Sequence, residues 1–134
     1  MLADLLHCNF YLECSRIEVN NLDTERKFDL IVTIVNRGFA DEVMNAARAA
    51  GAHGGTILWA RGSGVHETEK FFGISIQPEK ELVLILVRHG EKKEIMQAIG
   101  REAGLTKEGK GMSFSLPVDD VVGIVHMMND LKDE

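Results

Sequence analysis

The same order of elements occurs twice in this chain, and that repetition constrains the fold more than any other feature. Leu30 to Val35 (LIVTIV) and Leu82 to Val87 (LVLILV) are short apolar runs rich in β-branched residues, the pattern of strands buried on both faces. Each leads through a small polar turn, Asn36 to Gly38 or Arg88 to Gly90, into a stretch with helical spacing. The first stretch puts Val43, Ala46, Ala47 and Ala50 on one face and Asp41, Glu42, Asn45 and Arg48 on the other. The second sets Ile95, Met96, Ile99 and Ala103 against Glu94, Gln97, Arg101 and Glu102. Both stretches close on an Ala-Gly pair, Ala50-Gly51 and Ala103-Gly104, where glycine can take the left-handed conformation that ends a helix. Each then runs into a further strand, Thr56 to Ala60 in one half and Ser113 to Leu116 in the other.

Strand, turn, helix, glycine, strand, repeated about fifty residues later, gives the order β-α-β-β-α-β, a ferredoxin-like α+β sandwich. Right-handed βαβ crossovers place both helices on one face of a four-stranded antiparallel sheet. A sheet covered on one side only should alternate apolar and polar residues along its strands. The two central strands do not: Ile31 and Val35 point opposite to Leu30, Val32 and Ile34, and all are apolar. The second face must therefore be buried too, and with no chain left over to cover it, another copy of the protein is the expected cover.

At 134 residues the chain has room for one core and none for a separate catalytic domain. We expect a ferredoxin-like domain over 28–134 and an N-terminal extension over 1–27, read as either an added edge strand or an arm. After Pro117, Asp119 and Asp120 precede Val121, Val122, Val125 and Met128, which suits a short C-terminal helix. A net charge of -6 argues against a nucleic-acid or anionic-membrane binder, whose affinity comes from Lys and Arg meeting phosphates. The longest apolar run, Leu82 to Val87, is far short of the roughly 20 residues that cross a bilayer. Cys8 and Cys14 are the only cysteines, and the start of the chain lacks a basic head, so a reducing cytoplasm is expected.

Catalytic signatures are missing. The five histidines show no i, i+4 pairing and no Cys-x-x-Cys companion, so no metal site is predicted. No nucleophile motif of the G-x-S-x-G kind is present either, and Asp119 and Asp120 read as a helix start, so the chain is expected not to be an enzyme. Glycines, in contrast, cluster in three loops: Gly51 to Gly55 after the first helix, Gly62 to Gly64 after the second strand, and Gly109 to Gly111 before the last. Loops of this kind let successive backbone N–H groups converge on an anion, although each alone also reads as a plain turn. Between Ser63 and Pro78 lies the longest interruption of the pattern, SGVHETEKFFGISIQP, which carries Phe71 and Phe72. It reads as a hairpin extension whose phenylalanines pack on the body or a neighbouring subunit, or as an arm that docks into a partner.

Two segments carry a family resemblance: AGAHGGTILWARGSG (Ala50 to Gly64) and GKGMSFSLPV (Gly109 to Val118). Over roughly Phe28 to Val125 the chain resembles the PII signal-transduction proteins, small trimeric regulators of nitrogen metabolism. The first segment is similar to that family's stretch from the first helix to the root of its T-loop, the second to its B-loop and fourth strand. The resemblance implies a homotrimer without a required cofactor, whose intersubunit clefts bind ATP, ADP or AMP as effector, with 2-oxoglutarate in many members. It implies nucleotide contacts from Gly54, Gly55, Thr56, Gly62, Ser63, Gly64, Gly109, Lys110, Gly111 and Met112. It further implies a protein target, such as an enzyme, transporter or regulator, met by His66, Glu67, Glu69, Lys70, Phe71 and Phe72 of the T-loop. This chain departs from the pattern at named positions. Met112 stands where the family usually has a phosphate-binding lysine, Lys110 where an acidic residue is common, and Glu79 where a basic residue follows the T-loop. The interruption is shorter than the family's T-loop and has no tyrosine for nucleotidylation. The same architecture is shared by CutA-like structural or metal-responsive trimers, the alternative reading.

Overall fold

A computed structural model describes residues 26–64, 69–76, 78–125 and 127 of the chain. Strand β1 (Phe28–Asn36) is followed by helix α1 (Ala40–Ala49) and strand β2 (Thr56–Arg61). A small hairpin, β3 (Glu69–Phe71) and β4 (Ile74–Ile76), leads to β5 (Glu79–Arg88), helix α2 (Lys92–Glu102) and β6 (Gly111–Val118). The main sheet has the order β2-β5-β1-β6, antiparallel throughout, so the duplicated order read from the sequence is the observed one. Each central strand runs longer than its apolar run at both ends.

Residues directly opposite in an antiparallel pair share a face, so the register sorts the sheet's two sides. On one side Ile31, Val35, Val83, Ile85 and Val87 are buried against Val43 and Ala47 of α1 and Ile95 and Ile99 of α2. Each such side chain contributes about 1.5 to 3 kcal/mol of apolar burial. Asp41 and Glu42 open α1 and Arg48 ends it, which matches the helix dipole. Gly51, at φ +111°, then closes the helix, with Ala52 N–H donating to the Ala47 carbonyl (2.9 Å) and Gly51 N–H to Arg48 (3.1 Å). The second helix ends the same way, Leu105 N–H donating to Gly100 (3.0 Å).

The sheet's other side carries Leu30, Val32, Ile34, Leu82, Leu84 and Leu86 down its centre, with Leu58 on one edge and Met112, Phe114 and Leu116 on the other. All four of these edge side chains are exposed, so the second apolar face anticipated from the central strands is real and largely open in a single chain. At the end where β1 begins, the carboxylate of Asp29 is buried, 1% exposed, and meets Arg26 Nε (2.8 Å), His89 Nδ1 (2.6 Å) and Lys92 Nζ (3.4 Å).

In the C-terminal tail, helical backbone starts later than the acidic pair suggests. Asp119 and Asp120 lie ahead of the helix rather than at its first turn: residues 119–124 are irregular, Gly123 sits at φ +91°, and among the described residues helical backbone begins at Val125 and is found again at Met127. A left-handed glycine directly after the valine pair separates the acidic residues from the helical backbone that follows. The remainder of the tail, like the N-terminal extension with Cys8 and Cys14, lies outside the described residues.

Candidate functional site

Two of the three glycine loops singled out by the sequence, 62–64 and 109–111, lie at the same end of the sheet and on opposite edges of it. Gly111 pairs with Val35, Val35 with Glu81 and Glu81 with Trp59, so these residues form one row across all four strands. Three strand spacings separate its ends, about 14 Å. Gly62 extends the row's β2 side, its N–H donating to the Pro78 carbonyl at 3.2 Å, and carries the chain towards the hairpin. Ser63 and Gly64 follow, exposed. Thr56 sits in a deeper row with Leu84, Val32 and Phe114, with Gly54 and Gly55 immediately before it.

Not every glycine here is free to serve a ligand alone. A Cβ at Gly111 would lie 2.2 Å from the Ile34 carbonyl oxygen, and one at Gly55 2.8 Å from that of Leu84, so backbone packing already demands glycine at both positions. Lys110, between the two B-loop glycines, places its ammonium 5.4 Å from the centroid of the Phe39 ring. Met112 is exposed on the open face of the edge strand β6.

Between the two loops, the strand ends and the β1–α1 turn supply a polar network that sequence reading did not assemble. Asn36 donates from Nδ2 to the Gly109 carbonyl (3.0 Å) and accepts at Oδ1 from Lys80 Nζ (2.5 Å). Arg37 pairs with Glu79 and lies over the Trp59 ring, 4.9 Å from its centroid. Glu81 accepts from the N–H groups of Gly38 (3.1 Å) and Ala40 (3.0 Å), and so caps the start of α1 from a neighbouring strand. A groove of about 360 Å³ opens here, lined by Arg37, Trp59, Ala60, Arg61, Glu79, Lys80 and Glu81. A larger groove, about 710 Å³, runs between the helices past Glu42, Glu94 and Glu102, and none of the sequence-predicted residues borders it. Trp59, the chain's single tryptophan, was the available signal: it stands three-quarters exposed in a strand beside the glycine loop.

The interruption between Ser63 and Pro78 contains a hairpin, but Phe72 does not pack on the body of its own chain as the hairpin reading allowed. Phe72 and Gly73 form its tip, both at positive φ (51° and 78°), and Phe72 is 93% exposed. Glu69, Lys70 and Phe71 form strand β3, whereas His66 and Glu67 lie outside the described residues.

Comparison with known proteins gives this arrangement relatives. A family model for nitrogen regulatory protein P-II matches residues 28–126. "Nitrogen regulatory protein P-II 2" of Methanothermobacter thermautotrophicus is 34% identical over 100 residues, which span 70% of this chain and 86% of the relative. Among solved structures, Arabidopsis thaliana PII bound to citrate superposes with a TM-score of 0.59 at 24% identity, over 76% of this chain and 87% of that one. That last likeness concerns the fold, while the family match spans both glycine loops and the sheet between them. This chain belongs to the P-II family of nitrogen regulatory, signal-transducing proteins.

Proposed function

We propose that this protein is a non-enzymatic P-II-type regulator that assembles as a homotrimer, binds a small anionic effector in clefts between its subunits and reports occupancy to a partner protein through residues 65–77. One observation carries the reading: the loops 62–64 and 109–111 share an end of the sheet but belong to its opposite edge strands, β2 and β6, which lie about 14 Å apart across three strand spacings. A single chain cannot close both loops around one small ligand. Two neighbouring copies can, if the β2 edge of one meets the β6 edge of the next, and the open apolar face supplies the surface that holds copies together. The effector is an adenine nucleotide, ATP, ADP or AMP. Gly54, Gly55 and Thr56 border its base, and Gly62, Ser63, Gly64, Gly109, Lys110 and Gly111 cradle its phosphates, with Met112 beside them. Backbone N–H groups suit this task in an acidic protein because they bind anions without a large basic patch.

The partner is an enzyme, transporter or regulator of nitrogen metabolism that receives the hairpin, in the cytoplasm. Among the described residues no helix is long and apolar enough to cross a membrane, and no group of three His, Cys, Asp or Glu could hold a metal ion. Family membership also takes the argument away from a CutA-like trimer. Calorimetric titration with ATP, ADP and AMP, with and without Mg²⁺ and 2-oxoglutarate, tests the reading on protein of verified mass. One nucleotide bound per subunit supports it; a trimer that gives no heat with any of them overturns the ligand half.

A further inference from the structure

We infer that the β1–α1 turn, Asn36 to Phe39, is a mechanical relay that couples the B-loop (Glu108 to Gly111) to both roots of the hairpin arm within one chain. The inference rests on the reading above for what the two loops do, and goes beyond it in naming what connects them. The loops occupy opposite edges of the sheet, so a signal inside one subunit has to cross β1 and β5. Residues of the turn reach both sides. Asn36 and Phe39 touch the B-loop, through the Gly109 carbonyl and the Lys110 ammonium. Arg37 touches the returning root of the arm and the strand that leads to the outgoing one: its backbone N–H donates to the Glu79 carbonyl (3.3 Å), its guanidinium pairs with the Glu79 carboxylate, and it covers the ring of Trp59 in β2.

Asn36 is the hinge of this relay, for a reason of simple geometry. A lysine ammonium only donates and a peptide carbonyl only accepts, so Oδ1 must face Lys80 and Nδ2 must face Gly109. Both ends of one planar amide are therefore engaged. If the B-loop turns on meeting a phosphate and the Gly109 carbonyl moves, an amide that follows it shifts Oδ1 against Lys80, at the start of β5 where the hairpin returns to the sheet. The turn has a fixed base to move against, since Glu81 holds the N–H groups of Gly38 and Ala40. Its outer contacts are easily exchanged: Arg37 and Glu79 are each 55% exposed, and such a pair is individually weak. A firm base with exchangeable outer contacts can hold two arrangements that ligand at one edge and partner at the other bias together. Coupling of this kind is reciprocal, so a partner that moves Arg37 must alter effector affinity by the same factor, on the order of 5-fold or more.

The test perturbs one edge, reads the other and cuts the middle. Trp59 is the only tryptophan, so its indole N–H signal in two-dimensional NMR of the full-length protein reports the arm's root. Gly109→Ala perturbs the B-loop: no atom lies within 4 Å of the added Cβ, but a backbone φ of +78° strains it and turns the carbonyl. The indole signal should move in Gly109→Ala, and the shift should fall to less than about a fifth when Asn36→Ala or Arg37→Gln is added. Arg37→Gln, on an exposed side chain, serves as the cut should Asn36→Ala disturb the fold. An indole signal that stays still in Gly109→Ala, or moves equally with either cut in place, overturns the relay. ADP provides a second arm. If ADP gives no heat yet Gly109→Ala still moves Trp59 through Asn36, the nucleotide reading fails and the relay stands. If ADP binds but neither ADP nor Gly109→Ala moves Trp59, the relay fails and the nucleotide reading stands.

Discussion

At the end of the sheet where β1 begins, Asp29 is buried and its carboxylate is met by Arg26, His89 and Lys92; at the end where β1 finishes, Asn36, Arg37, Glu79 and Lys80 make their contacts at the surface. Both ends use polar side chains to tie strands to turns, but their energetics differ. A buried charge with its partners in place can hardly be rearranged, because removing any partner leaves charge stranded away from water. Exposed pairs exchange readily with water and with ligands, and each is worth little alone. The Asp29 end is therefore the harder of the two to rearrange, and the glycine-loop end the more adaptable. Binding segments generally come from the less stable parts of a fold.

The largest test of that contrast is Asp29→Ala, which strands three cationic or protonatable partners and should lower unfolding free energy by about 3 to 5 kcal/mol in urea titrations. A loss below about 1 kcal/mol would place the firm end elsewhere. Gly111→Ala asks whether the adaptable end has a rigid point. Its new Cβ would lie 2.2 Å from the Ile34 carbonyl oxygen, so β1 and β6 should separate locally and stability should fall by about 2 to 4 kcal/mol. The variant should therefore lose effector binding through the fold, and it is a poor probe of ligand contacts. Glu81→Ala removes the acceptor for the first N–H groups of α1 and should cost about 1 to 2 kcal/mol by thermal unfolding, with the hairpin unaffected. Met112→Lys supplies a cation beside the B-loop on an already exposed side chain. It should tighten ADP about tenfold by calorimetry, the scale of one hydrogen bond to a charged group. Unchanged affinity would mean that position 112 does not face the phosphates.

Most of the fold was legible because it rests on periodicity. Two doubly apolar strands and two amphipathic helices, each closed by an Ala-Gly pair, leave few ways to build one core, and the sheet order followed from them. The site was legible only as loops. Glycine clusters announce where the backbone can approach an anion, but Asn36, Arg37, Trp59, Lys80 and Glu81 come from three strands and a turn, and nothing in linear spacing brings them together. Gly111 shows the opposite limit. The sequence marks it as a candidate ligand contact, whereas the structure gives it a packing reason of its own in the close approach to Ile34. The acidic pair at Asp119 and Asp120 misplaced only the start of the terminal helix: Gly123 at positive φ interrupts the backbone, and helical residues begin after it at Val125.

The central claim is that effector sites form only between copies of this chain. Native mass spectrometry of the full-length protein with ADP counts chains and bound nucleotides in one spectrum. The account predicts a complex of three chains carrying up to three ADP molecules, with no nucleotide on any monomer. Monomers that bind ADP, or trimers that never do, would contradict it.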